Sequence, residues 1–296
     1  IHIASLGFGE FTTSFLAGLN YGLGFMLIHM LHCTVATKQP AMTAANFAEQ
    51  VDSNEGSKAV DNKLAKLLID VCRSQSVAVF GNVSIAVLLA AGIAWGYAYT
   101  HGQPLLNEAV TAYQLKSIEI FTQPTLWYAA IAGVWLFCSG IIAGFFDNRS
   151  DYLNLRQRLP FNPFLRKIMR PQPRRRLAAY IHKHYGSLMG NFIFGMLLGM
   201  TGYFGHLFGL PLDIRHVAFS SANLGYAAIS GHADIFTFML GLVSVLAIGM
   251  VNLVVSFSLA LAVALRSRGT RLGSMRNLLK SFWSQVKANP LILLYP

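Results

Sequence analysis

Residues 19–46 read LNYGLGFMLIHMLHCTVATKQPAMTAAN. The first half is a run of apolar and small residues suited to crossing a bilayer. It passes into a polar signature, Ala36-Thr37-Lys38-Gln39-Pro40-Ala41-Met42-Thr43-Ala44, that is too specific for a plain connector. A helix that spans the hydrocarbon core needs about 20 mostly apolar residues. Counting the one that begins this stretch, five runs meet that need: 14–35, 77–100, 125–146, 187–210 and 235–265. They are rich in Leu, Ala, Gly, Phe and Met, and the ten-residue alternation of an outer-membrane barrel is not visible. The expected fold class is therefore all-α. It is a polytopic integral membrane helix bundle with about five transmembrane helices and short amphipathic cytoplasmic helices.

Composition agrees. Only 12% of the residues are charged and 54% are hydrophobic, against about 25% charged in soluble domains. The net charge of +11 suits either nucleic acid or an anionic membrane surface, and the placement of the charges decides. Of the 23 basic residues, 21 fall in three segments: between the first and second runs, between the third and fourth, and after the fifth. The other two connections hold only Lys116 and Arg215. By the positive-inside rule the chain is expected in the bacterial inner membrane, with its N-terminus periplasmic and its C-terminus cytoplasmic.

The expected organisation is one membrane domain over 1–296. Within it lie a cytoplasmic helical hairpin (36–76), a basic cytoplasmic loop (147–184), a periplasmic loop (210–233) and a basic cytoplasmic tail (266–296). The hairpin is read as a helix over 42–50, a loop at 53–57 and a second helix from Lys58. Pro160, Pro163, Pro171 and Pro173 are read as breaking the basic loop into short pieces. Arg174, Arg175 and Arg176 there are the candidates for phospholipid or nucleic-acid contact. The bilayer, with its anionic headgroups, is the expected partner of these basic segments. The chain opens at Ile1 without a charged leader, so an N-terminal part of the same protein is expected as a further partner. Cys33, Cys72 and Cys138 share no ligand spacing and read as small hydrophobes or free thiols.

Several residues are candidates for function. Thr37, Lys38, Gln39, Pro40 and Thr43 form the turn after the first run. Lys38 suits a helix C-terminus and Pro40 suits a helix boundary. Gln39 and Thr43, with the small residues around them, imply a protein partner at the cytoplasmic face. Asn20, Asn82, Asn191 and Asn252 recur in the apolar runs, where they mark either interhelical hydrogen bonds or a midplane site. Glycine pairs at 18/22, 92/96, 140/144, 195/199 and 205/209 predict close helix crossings. In the fourth connection, Asp213 is expected to cap a short amphipathic helix and to pair with Arg215. With His216, His232 and Asp234 it forms a loose set of metal-ligand types. No phosphate loop, HExxH or GxSxG motif is present, and no cofactor is expected.

ATKQPAMTAA (36–45), LPLDIRHVAFSS (210–221), LNYGLGF (19–25) and GNFIFGMLLG (190–199) together resemble a known group. It is the proteobacterial family labelled "site-specific recombinase", of the Gcr type, and the likeness is to its membrane-embedded C-terminal part. The resemblance covers essentially the whole chain. The family's name implies a DNA-recombination factor, with DNA contact through the basic cytoplasmic segments. The residues favour a different role: small-solute or lipid transport, or a scaffold in a membrane complex, without catalysis. Direct DNA contact by this portion is not expected, because its basic residues are those that membrane orientation already demands. A membrane enzyme working at the periplasmic loop is the second alternative.

Overall fold

The computed structural model describes residues 7–31, 39–52, 58–231, 233–269 and 275–293. Thr37, Lys38, Cys33, His32 and His232 lie outside the described residues. The helices in chain order are α1 (Glu10–Met30), α2 (Gln39–Asp52), α3 (Lys58–His101), α4 (Glu108–Ile118), α5 (Thr125–Tyr152), α6 (Leu155–Arg158), α7 (Pro163–Ile168), α8 (Pro171–Phe208), α9 (Val217–Ile229), α10 (Ile235–Ser267) and α11 (Met275–Ala288). Short 3₁₀ turns cover Leu159–Phe161 and Pro290–Leu293. Among the described residues there is no strand. Five helices are long and apolar enough to cross a membrane, one in each expected run: α1, α3, α5, α8 and α10.

Two helices run longer than the apolar pattern alone predicts. The second arm of the expected hairpin is continuous with the second apolar run, giving the 44-residue α3. Nothing between Lys58 and Phe80 is Gly or Pro, so no residue stops the helix where its composition changes. Similarly, α8 begins at Pro171, sixteen positions before the expected 187. Pro171 and Pro173 do not break the chain there. They occupy the first turn, where a helix has no use for their missing N–H groups. Pro160 does interrupt: it sits in the 3₁₀ turn before Asn162, whose Oδ1 accepts from the Phe164 and Leu165 N–H groups to start α7.

The chain divides into two compact units. The first comprises Ile1–Met42 and Trp135–Leu212. Its core is the antiparallel crossing of α1 and α8. A Cβ added to Gly195 would overlap the Gly22 backbone, and one on Gly199 would overlap Gly18. Two glycine pairs therefore meet face to face, and the backbones touch. Phe25 stacks on Phe194 (5.5 Å) below this crossing, and His29 Nε2 meets His184 Nδ1 at 3.0 Å. On its other side, α8 is tied to α5. Trp135 Nε1 donates to Thr201 Oγ1 (2.8 Å), and the Gly186 N–H donates to Asp147 Oδ1 (2.9 Å).

The second unit comprises Thr43–Val134 and Asp213–Pro296. It has two apolar clusters. One joins Phe47 and Ala48 of α2, Leu64 and Ala65 of α3, Leu265 of α10 and Leu278 of α11. The other joins Val83, Ile118, Ala129, Val217, Leu224, Val245 and Ile248. Against the first cluster, α11 docks Leu278, with Phe282 packed beside it; Val286 is also buried, while Leu279 and Trp283 stay exposed. Ser281 and Gln285 bond to Asn62 of α3.

Glycine spacing alone does not decide packing. A Cβ placed on Gly92 would meet nothing within 4 Å, and the same holds for Gly96 and Gly144. A Gly195→Val substitution is expected to destabilise by about 1–3 kcal/mol or more through overlap. Gly92→Ala, on an open helix face, is expected to be neutral or stabilising by about 0.5–1 kcal/mol. Thermal melts of the two purified variants in detergent check this contrast.

Candidate functional site

The richest polar constellation in the second unit forms where α9 begins. Gly209 ends α8 in the left-handed region (φ 62°), and Leu210 N donates back to Gly205 O (2.8 Å). This is the helix stop that glycine permits at low cost. Asp213 to His216 then form a non-helical lead-in to the 13-residue α9. The N–H and C=O groups of such a lead-in need partners wherever water is excluded.

Asn252, near the midpoint of α10 and 2% exposed, supplies them. Its Oδ1 accepts from Val217 N (3.1 Å), the first N–H of α9. Its Nδ2 donates to Ala129 O (2.7 Å) on α5 and to Arg215 O (3.0 Å). One amide thus satisfies a helix start, a helix carbonyl and the lead-in. Arg215 N bonds to Tyr128 O (3.2 Å). The Arg215 side chain donates from Nε to Ser117 O (2.6 Å), closing the last turn of α4, and from Nη1 to Asp213 Oδ2 (2.7 Å). Its guanidinium lies 5.4 Å from the Tyr128 ring centre. Asp213 and Arg215 pair as expected. Asp213 does not cap α9, however: its Oδ1 is taken by Ile214 N, and the N-cap residue is His216. The His216 ring is buried and meets the Phe219 ring in a T-shaped contact, 5.7 Å between ring centres.

Glycines let α9 fit. A Cβ on Gly225 would overlap Val87 O of α3. On α10, a Cβ at Gly241 would sit 2.6 Å from Leu224 Cδ1, and at Gly249 2.9 Å from Val79 Cγ1 and 3.0 Å from Val217 Cγ2. Where α5 crosses α10, a Cβ on Gly133 would lie 2.8 Å from Asn252 O. None of these four glycines is among the pairs singled out in the sequence. The eight-residue interval from Gly241 to Gly249, two helical turns, was the available signal.

The other candidates are placed separately. Asn20 is exposed on α1, Asn82 half-buried on α3 and Asn191 buried on α8. Pro40 is the second residue of α2 and is buried; Thr43 is half-buried. Arg175 and Arg176 are exposed on the first turns of α8, with Arg174 half-buried. Asp234 caps α10, its Oδ1 accepting from Thr237 N (3.1 Å); bonding to Thr237 holds its carboxyl below the usual range. Among the described residues no three His, Cys, Asp or Glu side chains gather as a metal set.

A serine–histidine–aspartate grouping appears in the first unit and fails as a nucleophile. Ser150 Oγ meets His182 Nδ1 (3.0 Å), and His182 Nε2 lies 3.6 Å from Asp151 Oδ1. Ser150 is 1% exposed, and its hydroxyl also reaches His182 O (3.2 Å). A catalytic serine needs access to substrate, and this one serves to tie α5 to α8.

Asn252→Leu removes the partner of Val217 N and of the Arg215 carbonyl, and the second bond to the Ala129 carbonyl. It is expected to cost about 2–4 kcal/mol in thermal or denaturant melts. Asn20→Leu, on an exposed face of α1, is expected to stay within about 0.5 kcal/mol of the parent in the same melts.

Comparison with family models matches the chain over residues 1–296 to one described as "Site-specific recombinase". No curated protein matches the chain, and no solved structure matches it.

Proposed function

Since the chain belongs to the site-specific recombinase family, we propose that this family's membrane portion is a non-enzymatic transporter of a small solute or lipid, seated in the bacterial inner membrane. The observation that carries this reading is the half-length apolar helix α9, whose non-helical lead-in is held against the middle of α10 by Asn252. Non-helical backbone among membrane helices persists only where protein or a cavity satisfies it, and broken helices of this kind frame transporter sites. Beside it, between α4 and α10, lies a cavity of about 170 Å³ lined by Lys116, Glu119, Thr237 and Ser244 among apolar side chains. The distribution of Lys and Arg supports an orientation with the α1 start outside and the α8 start, α11 and the α2 region inside.

The test is flux in proteoliposomes. Reconstituted protein is assayed for movement of fluorescent phosphatidylethanolamine across the bilayer and for uptake of small radiolabelled solutes. Flux that Gly249→Val reduces at least about fivefold, in a variant that still inserts and melts cooperatively, is the expected result. Folded protein that moves neither class of cargo returns the chain to a scaffold role.

The family description favours a second reading, a DNA-recombination factor, and the exposed Arg175 and Arg176 beside Arg170 give it a physical handle. Phosphate contacts make binding steeply salt-dependent. Under this reading a gel shift at low salt weakens in the triple Arg174→Ala, Arg175→Ala, Arg176→Ala variant. Absence of binding at physiological salt removes it.

A further inference from the structure

The first unit carries a second cavity of about 490 Å³, at the end where α5 finishes and α8 is still charged. Asp147 and Asp151 of α5, Arg156 of α6, and Ala179, His182 and Lys183 of α8 line it. Charges of both signs therefore face one space. Among the described residues neither Arg156 nor Lys183 forms a salt bridge, and Asp151 meets His182 at 3.6 Å. The walls are fixed from behind. Asp147 accepts the Gly186 N–H, and Ser150 holds His182 through both its ring and its carbonyl.

A purely anionic ligand would meet two carboxylates here, and a purely cationic one would meet Arg156 and Lys183. A ligand with both charges a few atoms apart satisfies each wall.

We propose that this cavity binds a phosphodiester–ammonium zwitterion, the headgroup chemistry of phosphatidylethanolamine. Arg156 and Lys183 take the phosphate, and Asp151 accepts hydrogen bonds from the primary ammonium. The site is separate from the α9 region and stands whether or not α9 moves a cargo. A quaternary ammonium carries no N–H to give Asp151, and a glycerol headgroup carries no positive charge. Phosphatidylcholine and phosphatidylglycerol are thus the discriminating ligands.

The experiment uses the purified chain in detergent, titrated with short-chain phosphatidylethanolamine, phosphatidylcholine, phosphatidylglycerol and free phosphoethanolamine. The readouts are the shift in melting temperature and the retention of lipid in native mass spectra. Saturable binding of phosphatidylethanolamine, at least about tenfold tighter than of the other two lipids, is the expected result, with a similar loss in Lys183→Gln and in Asp151→Asn. Phosphoethanolamine binding as tightly as the lipid assigns the same pocket chemistry to a soluble ester; weaker binding assigns it to the lipid. Equal responses to all three lipids overturn the proposal. So does unchanged binding in both variants, whose exposed side chains are replaced without loss of packing and whose lipid-free melts serve as the folding control.

Discussion

Much of the second unit depends on the Asn252 carboxamide. A helix that starts beside another helix's midpoint brings free N–H and C=O groups with it, and removing them from water unpaired costs about 1–3 kcal/mol each. One side chain with an acceptor and two donor hydrogens meets that demand at the α9 start and at the carbonyl of Arg215, and its remaining donor hydrogen ties both to the α5 carbonyl of Ala129. The small residues follow from the same constraint. For Asn252 to reach Ala129, α5 must lie against α10, and Gly133 permits it. For α9 to lie between α3 and α10, Gly225, Gly241 and Gly249 must lack side chains. The polar joint and the glycine contacts are two parts of one solution.

The first unit solves a different problem with similar means. Between helices that share an apolar solvent there is little hydrophobic drive to associate, so close van der Waals contact and interhelical hydrogen bonds take over. Gly18 and Gly22 against Gly199 and Gly195 provide the contact. Trp135 with Thr201 and Asp147 with Gly186 provide the bonds. The tie at Asp147 is also what lines up the charged cavity, since it fixes the α5 carboxylates against the α8 face that bears His182 and Lys183.

The five apolar helices were legible because length and composition are local properties. The crossing of α1 and α8 was half legible: the glycine interval showed in both helices, but the same interval in α3 faces open space, and spacing cannot name a partner. Asn252 was visible as a candidate, yet its partners at 129, 215 and 217 are distant in sequence and could be found only in the fold. Asp213 was expected to cap α9 because its type and position fit. The competing local bond to Ile214 N won, leaving capping to a residue on another helix. The break expected before Val77 in α3 and the start expected for α8 were misplaced for one reason: hydropathy reports the solvent, while helix continuity depends on what interrupts the backbone.

The length of α3 has a mechanical side. At 1.5 Å per residue its 44 residues make a rod roughly 65 Å long, about twice the thickness of a hydrocarbon core. Leu64 near one end is set in the cluster with α2 and α11, and Val83 further along is set in the cluster with α4, α5 and α9. From Leu64 to Phe80 no glycine or proline offers a joint, and the helix runs unbroken through Gly81. Each end is therefore a handle on the other. An axial slide or a twist imposed where α11 clasps Asn62 is carried to the residues that grip α9, as torque passes along a drive shaft.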